Sequence, residues 1–109
     1  MTNRDRFAAL IGKLLKRTRD GSLTWRETAD EEEFLAPTPN ASVLISQRFG
    51  RFGTELRIKI LDDRGRVVET MDASENSGCE EEATELYEAA RRTALNSERV
   101  LDELLQSLD

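Results

Sequence analysis

The sequence predicts an α+β fold: an antiparallel four- to five-stranded meander sheet flanked by an N-terminal and a C-terminal helix, with residues 1–109 forming a single domain. Three observations predict it. Apolar residues recur at helical spacing near both ends, strand-like segments fill the stretch from about Leu23 to Met71, and short turns join those segments with no helix between them. Short connections make neighbouring strands antiparallel, because a parallel pair needs a long crossover. At 109 residues and 38% hydrophobic content the chain can bury a core without disulfide or metal staples.

Thr2 or Asn3 can cap a helix running to about Arg19, and Asp20-Gly21 stops it. Phe7, Leu10, Ile11, Leu14 and Leu15 form one apolar stripe, with Arg6, Lys13, Lys16 and Arg17 on the other side. Leu23 to Thr28 alternates as a short strand and holds the sole tryptophan, Trp25, which is expected to be at least half buried at the seam between a helix and the sheet. The acidic run Asp30 to Glu33 reads as a solvated turn before a short strand at Phe34 to Ala36, and Pro37-Thr38-Pro39-Asn40 supplies the next turn.

Val43, Ile45, Gln47 and Phe49 alternate with Ser42, Leu44, Ser46 and Arg48 in a third strand. Leu56, Ile58 and Ile60 alternate with Glu55, Arg57 and Lys59 in a fourth, which therefore has one wet face. Gly50-Arg51-Phe52-Gly53 forms the hairpin tip between them, and Asp62-Asp63-Arg64-Gly65 leads into a last strand from Val67 to Met71. Ser77 and Glu80 have capping-box spacing at the start of the final helix.

Ala83, Leu86, Tyr87, Ala90, Ala94, Ser97, Leu101, Leu104, Leu105 and Leu108 keep one helical phase almost to the last residue. A helix of about 30 residues would be about 45 Å long, against about 20 Å for these strands. Either it breaks near Asn96-Ser97, or Val100, Leu101, Leu104, Leu105 and Leu108 run past the sheet and need another surface to cover them.

The net charge of −6 is unevenly distributed. Residues 1–26 hold seven basic and two acidic side chains, residues 27–40 hold five acids and no base, and residues 80–109 hold nine acids and three bases. A basic first helix and an acidic last one attract each other if they share a face of the sheet.

Residue types narrow the chemistry. With no histidine and one cysteine, Cys79, neither a zinc site nor a His-activated nucleophile can be assembled. The acids Asp62, Asp63, Asp72 and Glu80 to Glu82 lack calcium-loop spacing. No catalytic, cofactor-binding or metal-binding residue is therefore expected. The sequence opens with no signal-peptide pattern and has no apolar run of membrane-spanning length, so a reduced, cytoplasmic protein without membrane contact is expected.

The corner Thr18-Arg19-Asp20-Gly21-Ser22-Leu23-Thr24-Trp25, the Asp62 to Gly65 turn and the closing Leu101-Asp102-Glu103-Leu104-Leu105 segment together resemble a scattered set of small bacterial and phage-type α+β proteins. The resemblance implies the same order of elements and a bacterial or phage origin, and it transfers no activity.

The expected function is a non-enzymatic protein-interaction module, such as an adaptor, inhibitor or immunity-type accessory subunit. Its partner, a larger protein or a second copy, would be bound through Val100, Leu101, Leu104, Leu105 and Leu108, with Phe52 rimmed by Arg48 and Arg51 as a second contact. The alternative is single-stranded nucleic acid held by the Arg/Phe hairpin tip, which the acidic pI of about 4.8 opposes.

Overall fold

A computed structural model describes residues 3–50, 53–73 and 79–109. Its elements are α1 (Asn3–Arg19), β1 (Arg26–Glu27), β2 (Glu33–Pro37), β3 (Ser42–Gly50), β4 (Gly53–Leu61), β5 (Val67–Asp72), α2 (Glu80–Leu95) and α3 (Ser97–Ser107). The strands form one antiparallel sheet in the order β1-β2-β3-β4-β5, the expected meander.

Helices α1 and α2 supply the apolar stripes that close the core. Phe7, Ile11, Leu14 and Leu15 are buried from α1 at i, i+4, i+7, i+8 spacing, and Ala83, Leu86, Tyr87 and Ala90 from α2 at i, i+3, i+4, i+7 spacing. They meet Phe34 and Ala36 of β2, Val43 and Ile45 of β3, and Leu56 and Ile58 of β4 in one apolar cluster. The rings of Phe34 and Tyr87 lie 5.7 Å apart at 53°. The two helices lie against each other, and Arg19 of α1 pairs with Glu85 of α2 at 2.9 Å. The charge asymmetry thus joins neighbouring helices, although this exposed pair contributes well under about 1 kcal/mol.

Alternation places a different set of side chains on the opposite face of the sheet, outside the apolar cluster that α1 and α2 close. There Leu35, Leu44, Lys59 and Thr70 form a row across four strands, beside a second row of Glu33, Ser46, Arg57 and Asp72. On the face of β4 expected to be wet, Arg57 is exposed while Glu55 and Lys59 are half-buried. The turn into β5 is held by Asp62, whose carboxylate accepts the backbone N–H groups of Arg64 and Arg66 and the Arg66 guanidinium. These bonds, the Arg66 N–H foremost, hold the Asp62 carboxyl below its ordinary pKa.

The first strand is shorter than the alternation of Leu23 to Thr28 suggests. Gly21 has a φ of 84°, its N–H reaches the Thr18 carbonyl, and the N–H groups of Ser22 and Leu23 both reach the Arg17 carbonyl. This is a Schellman closure of α1. It holds residues 20–23 against the helix end, so ladder pairing begins only at Arg26. Trp25 is nevertheless 3% exposed, and its indole N–H donates to the buried Thr18 hydroxyl at 2.9 Å.

The acidic turn before β2 is a bonded structure rather than a merely solvated one. Asp30 accepts the Glu32 N–H and pairs with Arg48 at 2.9 Å, while Glu32 accepts the Tyr87 hydroxyl at 2.8 Å. Burial first, then this bond to a carboxylate, raise the Tyr87 pKa above its ordinary value.

Candidate functional site

The C-terminal helix breaks at Asn96, at the place the sequence allowed. Asn96 adopts the left-handed conformation (φ 55°, ψ 47°), and its N–H reaches the carbonyls of Arg92 and Thr93 as a C-cap of α2. Asparagine tolerates this backbone better than other residues with a Cβ. The Asn96 carbonyl then accepts the Val100 N–H, so α3 starts within the same turn.

The bend does not return the leucines to the core. Val100, Leu101, Leu104, Leu105 and Leu108 are 56%, 57%, 52%, 66% and 76% exposed, and no residue of α3 is buried. The spacing gathers them on one side of a helix about 16 Å long. Its polar side carries Asp102 and Gln106 together with Arg99 and Glu103, which pair at 3.0 Å. α3 extends away from the cluster, and the radius of gyration, 14.9 Å, exceeds the roughly 13 Å of a compact chain of this length.

An apolar helical stripe is normally explained by what it packs against. α1 and α2 each meet this expectation and α3 does not. From the exposures, the burial forgone by its five apolar side chains corresponds to roughly 5 to 9 kcal/mol at about 1.5 to 3 kcal/mol per fully buried residue. Such a surface can dock an apolar groove, with Leu101, Leu104, Leu105 and Leu108 as the anchors.

The hairpin tip is the second surface. Gly50 pairs with Gly53 across β3 and β4; Arg51 and Phe52 lie outside the described residues, as does Ser77. The expected capping box does not form, because α2 starts at Glu80 with Cys79 at its N-cap, which makes Glu80 the first helical residue rather than the third. Arg48 remains half-exposed but is already paired with Asp30. Phe49 is 78% exposed although it shares the inward-facing parity of Val43 and Ile45. Alternation assigns a side chain to a face of the sheet; burial also requires something packed above it, and among the described residues nothing buries Phe49.

Exposed Val67 and Val68 mark the start of β5, the long free edge of the sheet. A bulge at Ile60/Leu61 and the charge of Glu69 disturb that edge as a template for added strands. Cys79 is buried in the core and Asp62 is bound within its own turn. Among the described residues, no group of three or more Cys, Asp or Glu side chains is placed to hold a metal ion, and no helix is long and apolar enough to cross a membrane. No protein-family model, curated protein or solved structure matches this chain.

Proposed function

We propose that the protein is an interaction module that binds a protein partner through the apolar side of α3. The observation that carries this reading is the exposure of five apolar residues on one side of a formed helix whose polar side is already ion-paired. The hydrogen-bonded bend at Asn96 supports it, since it directs α3 away from the core. In this role the protein acts by occupying or bridging a larger surface, as an adaptor, inhibitor or accessory subunit does, and requires no bond-making chemistry of its own.

A photo-reactive phenylalanine analogue at position 105 tests the reading, with the same analogue at Gln106 on the polar side as control. Discrete cross-linked species from position 105, lost when Leu104→Asp is added, are the expected result. Equal labelling from both positions, or none from either while the circular dichroism spectrum stays native, would refute it. A second reading, single-stranded nucleic acid at the hairpin tip, draws on the exposed Phe49 ring beside Arg48. It requires retention on an oligonucleotide that falls steeply with salt.

A further inference from the structure

α1 has a glycine at its centre that the isolated chain does not need. Gly12 is exposed, its φ is not among the positive ones, and a Cβ placed on it would meet no atom within 4 Å. Glycine in a helix interior costs about 1 kcal/mol relative to alanine. Neither backbone conformation nor crowding within the molecule accounts for that cost, whereas close approach of an external surface does. The helix is low around this point. Ala9 is exposed, Ala8 is half-buried, and Gly12, Leu15, Lys16, Arg19 and Asp20 line a shallow, open depression of about 410 Å³. Lys13 and Lys16 make the surroundings of Gly12 basic, while towards the end of the helix Arg17 pairs with Asp20 and Arg19 with Glu85.

The exposed apolar helix α3 has the opposite charge. From Ser97 to Asp109 it carries Glu98, Asp102, Glu103 and Asp109 against Arg99 alone. We propose that α3 of one copy lies across Gly12 of a second copy, with its leucines over the exposed Ala9 and Gly12 and with Glu98 and Asp102 towards Lys13 and Lys16. Two-fold symmetry makes the exchange reciprocal and closes the dimer. It also makes the contact twice, which matters because one 16 Å helix alone falls short of a standard interface. The proposal rests on the reading of α3 as a protein-binding helix and names its partner.

Two alternatives fit the observations less well. Pairing α3 with α3 would set like charges together on both sides. Folding α3 onto its own α1 would require a reversal at Asn96. That residue is hydrogen-bonded on both sides, to Arg92 and Thr93 before the bend and to Val100 after it. α3 also begins at the far end of α1, where Glu98 shares a hollow with Thr18 and Arg19, and Gly12 lies about 10 Å further back along the helix.

Sedimentation equilibrium of the full chain tests the proposal, with Gly12→Gln as the decisive variant. The new side chain stands up from the low surface at Gly12, has space in the monomer and raises helix propensity, so folding is not at risk. The wild type is expected to dimerise. Gly12→Gln should raise the dimer dissociation constant by about tenfold or more, and at concentrations where both are monomeric it should melt no lower than wild type. Lys16→Glu should also weaken the dimer, and Lys16→Glu with Asp102→Lys should restore it. A dimer indifferent to Gly12→Gln overturns the proposal. So does a wild-type monomer whose position-105 cross-link joins a different protein, although that result upholds the interaction reading. A monomer that forms no cross-link overturns both.

Discussion

Replacing Thr18 by valine tests how α1 is joined to the start of the sheet. The Thr18 hydroxyl accepts the Trp25 indole N–H at 2.9 Å and donates to the Leu14 carbonyl at 2.7 Å. Both side chains are buried, at 7% and 3% exposure, so water cannot replace the lost acceptor. Valine keeps the shape and the β-branch, which isolates the hydrogen bond. An indole N–H left unsatisfied in the core costs about 1 to 3 kcal/mol. For a chain of this length that lowers the melting temperature by roughly 4 to 12 °C. Trp25 is the only tryptophan, so its fluorescence reports both the unfolding curve and its own surroundings without interference. Thr18→Ser, which keeps the hydroxyl and loses a methyl, should recover most of the difference. A Thr18→Val variant as stable as wild type, with Thr18→Ser the weaker of the two, would show that methyl packing holds this corner and would refute the reasoning.

Tyr87 is the only tyrosine, and its raised pKa has a pH signature. The unfolded chain ionises near pH 10 while the folded chain stays neutral, so this contribution to stability is present below pH 10 and lost as the pH rises above it. Denaturant titrations should therefore show wild type losing stability from about pH 10 upward more steeply than Tyr87→Phe, and tyrosinate absorbance should appear in the native protein only above that range. At the bend, Asn96→Gly should leave thermal stability within about 0.5 kcal/mol of wild type, whereas Asn96→Ala should cost about 1 to 2 kcal/mol in denaturant unfolding because alanine resists a φ of 55°.

Much of this architecture is legible in the residues themselves. The α1 stripe from Phe7 to Leu15, the alternation of Leu56, Ile58 and Ile60, and the Asp62 to Gly65 turn each encode their element locally, and the meander follows from short connections. What is not legible depends on tertiary placement. Leu23 and Trp25 alternate as a strand does, but the Schellman closure of α1 holds them first. Asp30 and Glu32 look like solvated charge until Arg48 and Tyr87 arrive from elements 18 and 55 residues away. Phe49 follows the inward parity of β3 yet is left exposed near the end of that strand.

The candidate site was half legible. Comparing helix length with strand length showed that the leucines after Val100 exceed the sheet. Whether a break at Asn96 would fold them back was open, because backbone direction after a left-handed residue depends on what surrounds it. Gly12 carries a sequence signal of its own, a glycine inside a strong helical pattern, but its exposure and empty surroundings are visible only in three dimensions.

The most direct measurement is thermal unfolding of the Leu104→Asp, Leu108→Asp double variant beside wild type, at a concentration low enough for both to be monomeric. Both leucines are more than half exposed in the folded chain, so two carboxylates there remove no core contact. A melting temperature equal to wild type, with a near-native circular dichroism spectrum and loss of the position-105 cross-link, is the predicted outcome. A domain unfolded by the same pair of substitutions would place these leucines in the core and contradict the account.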